Sequence, residues 1–245
     1  MQSQRSVTIL LVGYGWFAGI PEGEVNNAQL VAEALNGVTI TITDTTENIQ
    51  TSGSIHSVVV PVMWDKAFSL VADAINSLKP DIVLALGTAV GLEGLRPEPY
   101  GVNWSSGEDA DPDNPNHKTK REEYIDERGP AYIERTLPYE KMVMAILREG
   151  IPASIGILDE TGTKAVPYNS SAGTYLCNYM TYMLPHYISK KGLNIAAGFM
   201  HLPTQYTYIA NQRLKALDCL NGDVKRTAMT MPLKAGMSID MLVLG

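Results

Sequence analysis

Short β-rich apolar runs alternate along this chain with segments whose apolar residues recur at helical spacing. Val7 to Val12 (VTILLV) predicts a strand covered on both faces, and it runs into the glycine-rich turn Gly13 to Gly19. A helix over Asn27 to Leu35 follows, then strands over Thr39 to Thr43 and Ser57 to Val62, with Pro61 marking the end of the second or an edge position. Trp64, Ala67, Phe68, Val71, Ala74, Ile75 and Leu78 fall on one helical face, Lys79-Pro80 stops that helix, and Ile82 to Leu86 returns as a strand. Pro138 to Glu149 predicts a helix that buries Met142, Val143, Ala145 and Ile146, and Ser154 to Leu158 predicts a strand. The next helix carries Cys177 and continues towards Ser189, with Pro185 expected to kink or shorten it. Leu193 to His201 is the following strand, and Thr207 to Leu220 is the last expected helix, with Cys219 on its packed side.

Strands alternating with helices predict an α/β fold, a three-layer α/β/α sandwich around a mostly parallel, twisted sheet. Sites in such folds gather at the carboxyl ends of the strands. The expectation is one domain over residues 1–245, interrupted by a long polar loop at about 92–129. A C-terminal extension at about 222–245 reads as an extended edge strand or an arm on a partner subunit.

Composition narrows the function classes. A net charge of −7 with scattered Lys and Arg gives no footprint for nucleic acid, and no apolar run approaches the length of a membrane span. The N-terminus lacks the features of a secretory leader, and two cysteines without a C-x-x-C pair fit a reducing compartment, so a cytoplasmic location is expected. Gly13, Gly15 and Gly19 miss the G-x-G-x-x-G spacing, which disfavours a dinucleotide site, and no H-E-x-x-H or clustered His/Asp/Glu pattern calls for a metal.

Candidate chemistry centres on NSSAGTYLCNY, residues 169–179, where small residues lead into an apolar helical pattern. Cys177 thus falls near a helix N-terminus, where unpaired N–H groups and the helix dipole favour a thiolate and can receive an oxyanion. A packed core cysteine is the alternative at this point. His201 ends a predicted strand, and Glu98 lies between prolines in LRPEPYGVN, so a thiol, an imidazole and a carboxylate suited to acyl transfer are present. His56, His117 and His186 compete for the histidine role. Tyr14 and Phe17 fit either pocket walls or core.

These residues resemble those of the pyroglutamyl peptidase I family, from about Val7 to about Gln212. AGTYLCN is similar to the family's Ala-Gly-Thr-aromatic-aliphatic-Cys-Asn string, GFMHLP to its Gly-Phe-Ile-His-aliphatic-Pro motif, and Glu98 with Asn103 to its Glu-Arg-Val-Ala-Ile-Asn segment. RGPAYIERTLP resembles a further family string, Asp-Gly-Pro-Ala-Ala-Tyr-Phe-Ser-Thr-Leu-Pro. The resemblance implies Cys177 as nucleophile, His201 as general base and Glu98 as the orienting acid. It also implies a pocket for the pyrrolidone ring at Tyr14, Phe17, Val62, Thr88, Tyr175 and Leu176. The family's phenylalanine pair stands here as Tyr14 and Phe17, Trp16 replaces a proline, Leu92 replaces an arginine, and Ala110 also departs from the family loop.

The implied reaction removes an N-terminal 5-oxoproline from a peptide or small amide through a thioester, with no metal or organic cofactor, in a homodimer or homotetramer. Two other readings remain: a thiol hydrolase or acyl transferase of the same fold acting on another cyclic or acylated amide, and a non-catalytic binding protein that keeps the fold.

Overall fold

In a computed structural model, residues 6–20, 23–44, 49–109 and 118–204 are described below. The elements run β1 (Val7–Tyr14), α1 (Asn27–Leu35), β2 (Thr39–Asp44), β3 (Ile49–Val60), α2 (Ala67–Leu78), β4 (Ile82–Ala89), β5 (Arg96–Pro97), β6 (Tyr100–Val102), β7 (Ser105–Glu108), β8 (Lys120–Glu123), β9 (Tyr132–Glu134), α3 (Tyr139–Arg148), β10 (Leu158–Glu160), β11 (Tyr168–Ser170), α4 (Leu176–Lys191) and β12 (Ala196–Pro203). The main sheet has the order β2-β3-β1-β4-β12-β5. Its four inner strands are parallel and both edges are antiparallel, so the mostly parallel α/β sandwich expected from the sequence is what forms.

Side-chain alternation divides the core in two. Ile9, Leu11, Leu84, Leu86, Met200 and Leu202 face α1 and α3, packing on Ala28, Ala32, Met142 and Ile146. Leu10, Val12, Val83, Ala85, Ala197 and Phe199 face α2 and α4, packing on Phe68, Val71, Leu176, Met180 and Leu184. This alternation decides which side of the sheet holds a site at the strand ends. Tyr14, in step with Leu10 and Val12, belongs to the α2/α4 side. His201, two residues beyond Phe199, follows the same alternation. On the other side Gly13 lets α1 approach closely, because a Cβ there would fall 2.7 Å from that of Ala32.

Several sequence expectations needed correction. The polar stretch at 92–129 is not one loop: its described part contains four short strands, because β5 pairs antiparallel with β12 at Met200 and His201 while β7 pairs with β8. The strand expected over Ser154 to Leu158 does not form: a single bridge joins Leu95 to Ala153 just before it, and extended pairing begins only at Leu158, where β10 meets β11. Its backbone instead satisfies the β5 segment, with Ser154 N donating to Leu95 O and Gly156 N to Pro97 O. Pro185 does not end α4, which continues to Lys191 and closes on Gly192 at φ 61°. The lost N–H is tolerated in a helix whose Leu184, Pro185 and Ile188 are all buried. The expected helix over Thr207 to Leu220, Cys219 and the tail from Gly222 lie outside the described residues.

Candidate active site

Three segments meet on the α2/α4 side, at the carboxyl end of the sheet. β12 delivers His201, whose register partner on β4 is Gly87. The edge strand β5 runs into Glu98, whose N–H donates to Phe199 O at 3.0 Å and so fixes the carboxylate alongside the end of β12. The first turn of α4 delivers Cys177. The absence of a side chain at Gly87 makes room for the thiol: a Cβ there would fall 3.0 Å from Cys177 Sγ and 2.6 Å from the Phe199 ring. That same ring stands edge-on to the His201 imidazole at 5.0 Å.

The Glu98 carboxylate is fully buried, and both of its oxygens accept hydrogen bonds. Oε1 accepts from His201 Nδ1 at 2.7 Å and from Arg96 Nε at 2.7 Å, while Oε2 accepts from Ser171 Oγ. Arg96 also donates to Ser171 O at 2.9 Å, tying β5 to the segment that leads into α4. Burial pushes the Glu98 carboxyl up, but His201, Ser171 and Arg96 together outweigh it and hold the group below its usual range. His201 is also held down, by burial first and by Arg96 and Arg135 after it, against the pull of Glu98. The Glu98 shift favours a charged carboxylate and the His201 shift favours a neutral imidazole, which with Nδ1 on Glu98 leaves Nε2 as the ring atom to take a proton.

The thiol departs from expectation. Cys177 keeps some exposed surface, yet burial pushes it up to about 12, and the Glu98 charge adds to this. This opposes the thiolate that the helix N-terminus was expected to favour, since the sulfur packs against the aromatic cluster beneath it.

The expected pocket residues are distributed unevenly. Tyr14, Val62 and Leu176 are buried in one cluster, with Phe17 and Tyr175 packed against it. Tyr14 Oη donates to Leu176 O at 2.7 Å. Tyr175 meets Trp64 edge to face at 5.2 Å and donates its hydroxyl to Glu108 O. Thr88 differs: its hydroxyl donates to Asn26 Oδ1, the N-cap of α1, so only its backbone is left for the pocket. Trp16 is 42% exposed and bonds Ile20 O within its own turn. Of the competing histidines, His56 is exposed on β3, His186 pairs with Asp126 at 2.9 Å, and His117 lies outside the described residues.

Sequence reasoning missed five supporting residues. Arg96 was within reach, since positions two apart in an extended strand share a side and Arg96 precedes Glu98 by two. Ser171 and Asn178 flank the cysteine motif. Asn178 is fully buried and binds Val102 N, Val102 O and Trp104 O, which locks the first turn of α4 to the β6–β7 segment. Trp64, expected on a helix face, precedes α2 and backs Tyr175 and Tyr179, with Arg121 stacked 5.3 Å above it. Arg135 lies within the RGPAYIERTLP string, which gives no sign that it would be buried behind Phe199 with Nη1 on Phe199 O at 2.6 Å.

Comparison with known proteins gives the family. The profile of the pyroglutamyl peptidase family matches residues 7–237. A pyrrolidone-carboxylate peptidase of Saccharolobus islandicus is 31% identical over 204 residues, 83% of each chain, and one from Bacillus amyloliquefaciens is 31% identical over 228 residues, 91% of each. The crystal structure of pyroglutamyl peptidase I from Bacillus amyloliquefaciens superposes with a TM-score of 0.64 at 28% identity, covering 81% of both chains. Pyrrolidone carboxyl peptidase from Thermococcus litoralis gives 0.63 at 25%, covering 80% of this chain and 76% of that one. The chain therefore belongs to the pyroglutamyl peptidase family, a family of cysteine peptidases.

Proposed function

We propose that this protein releases an N-terminal pyroglutamyl residue from peptides, with Cys177 as nucleophile, His201 as general base and Glu98 as the carboxylate that orients it. The observation that carries this reading is the buried Glu98–His201 pair at 2.7 Å, on the same face and at the same strand ends as the Cys177 thiol. With the thiol protonated and the imidazole neutral at rest, attack proceeds by proton transfer from Sγ to His201 Nε2 as sulfur bonds to the substrate carbonyl carbon. The tetrahedral oxyanion faces the first turn of α4, whose N-cap Tyr175 supplies no side-chain hydrogen bond, so Cys177 N–H is a suitable donor. Collapse breaks the C–N bond, and the amine leaves with the proton held by His201. Water, deprotonated by His201, then hydrolyses the thioester and restores the thiol.

An aromatic and apolar pocket favours the uncharged lactam over a free ammonium, because burying an unpaired charge costs several kcal/mol. The unbroken six-stranded sheet supports one domain for the chain, and the family resemblance supports a cytoplasmic homo-oligomer, which light scattering tests. Among the described residues no helix is long and apolar enough to cross a membrane.

The test is hydrolysis of a chromogenic pyroglutamyl amide by purified protein. Cys177→Ser and His201→Ala each abolish turnover, and Glu98→Gln, which keeps an acceptor for Nδ1–H, is milder. Activity surviving in either of the first two sinks the assignment.

A further inference from the structure

We infer that Tyr14 is a positioning residue for the oxyanion site: its hydroxyl, through the Leu176 carbonyl, sets the orientation of the Cys177 N–H. The inference rests on the reaction proposed above and adds to it a device in this chain's own residues.

Tyr14 ends β1 and is 2% exposed, with Oη 2.7 Å from Leu176 O. That carbonyl belongs to the peptide unit joining Leu176 to Cys177. No peptide bond in the described chain is cis, so the Cys177 N–H lies in the same plane and points the opposite way. Fixing one end of this unit therefore fixes the other. Leu176 and Cys177 are the first two residues of α4, so the Cys177 N–H has no intrahelical acceptor, and Tyr175 contributes no side-chain cap that would hold it. The nucleophile's own N–H is thus left for the substrate, with its direction anchored from behind by a strand of the central sheet.

Burial, with the nearby Cys177, Tyr179 and Tyr175, raises the Tyr14 phenol well above its ordinary pKa, which keeps the proton available for donation. A hydrogen bond at the carbonyl also polarises the peptide unit and makes its N–H a better donor. In the turn that this sequence resembles, the corresponding residue is phenylalanine, which can wall the same pocket but has no hydroxyl to give.

The experiment compares the wild-type protein with Tyr14→Phe, a change that keeps the ring. Three measurements are needed: kcat and KM on a pyroglutamyl amide, inhibition by a pyroglutamyl aldehyde, and alkylation by iodoacetamide. The thiol adds across the aldehyde carbonyl to give a hemithioacetal whose oxygen occupies the oxyanion position. Alkylation displaces iodide and generates no oxyanion. Loss of one buried hydrogen bond should lower kcat and weaken the aldehyde together, by about three- to tenfold, with KM and the alkylation rate unchanged. A KM effect alone would make Tyr14 a pocket wall, and a parallel fall in alkylation would place its effect on the thiol; either overturns the inference, as does a variant equal to wild type. A wild-type protein inert to both amide and aldehyde overturns the proposed reaction and this inference with it.

Discussion

Gly156 offers a test of the Glu98–His201 pair that leaves both residues unchanged. It lies in the segment that hydrogen-bonds alongside β5, with its N–H on Pro97 O at 2.9 Å. A Cβ at this position would fall 2.9 Å from Pro99 Cδ, 2.5 Å from Ser171 Oγ and nearer still to Glu98 Oε2. Its backbone does not require glycine, since its φ is not among the positive ones, so Gly156→Ala changes only the space. Ordinary contact begins near 3.4 Å, so the carboxylate must retreat by about an ångström. Its other oxygen is held by His201 Nδ1 and Arg96 Nε, each at 2.7 Å, so moving Oε2 draws Oε1 away from both. Misplacement of about 1 Å in a catalytic constellation costs on the order of a hundredfold, and overpacking costs about 1–3 kcal/mol of stability. The assay is kcat/KM on a pyroglutamyl amide, with circular dichroism and urea unfolding to confirm that the variant is folded under the assay conditions. A folded Gly156→Ala protein with wild-type kcat/KM refutes the reasoning, because the pair would then not need the geometry assigned to it.

Two further predictions concern protonation. With its pKa raised to about 12, Cys177 should remain a thiol in the free protein, so a far-ultraviolet thiolate titration, corrected with Cys177→Ser, should show no thiolate at this site below about pH 9; a midpoint below neutrality would show that the helix N-terminus wins after all. Buried His201 is held below its ordinary pKa, so as pH falls through about 6.5 the unfolded chain takes up a proton that the folded one refuses, and stability drops. Glu98, also held low, adds its loss further into acid, as pH falls from the unfolded carboxylate range towards its folded value. Urea midpoints at pH 7.5 and 5.5 should therefore differ less in His201→Phe than in the wild type, and an equal difference would mean that His201 is not buried neutral.

Local pattern carried much of this protein. The alternation in β1, β4 and β12 and the helical spacing in α1, α2 and α3 depend on near neighbours, so the α/β class, the parallel inner strands and the helix over Asn27–Leu35 were readable from the residues alone. The chemistry was readable because Cys177, His201 and Glu98 sit in short distinctive strings. The polar stretch around Glu98 was not readable: β5 is two residues long and exists only because β12 offers an edge about a hundred positions away. Burial of the thiol was likewise not readable, since a helix N-terminus by itself favours a thiolate while packing of the sulfur against the aromatic cluster pushes its pKa up. Sequence by itself determined the alternating strands and helices around the inner sheet and named the groups proposed to react. Only the tertiary structure decided that Arg96, His201 and Ser171 share one carboxylate and that Tyr14 reaches the peptide unit before Cys177, because those contacts join residues up to 162 positions apart.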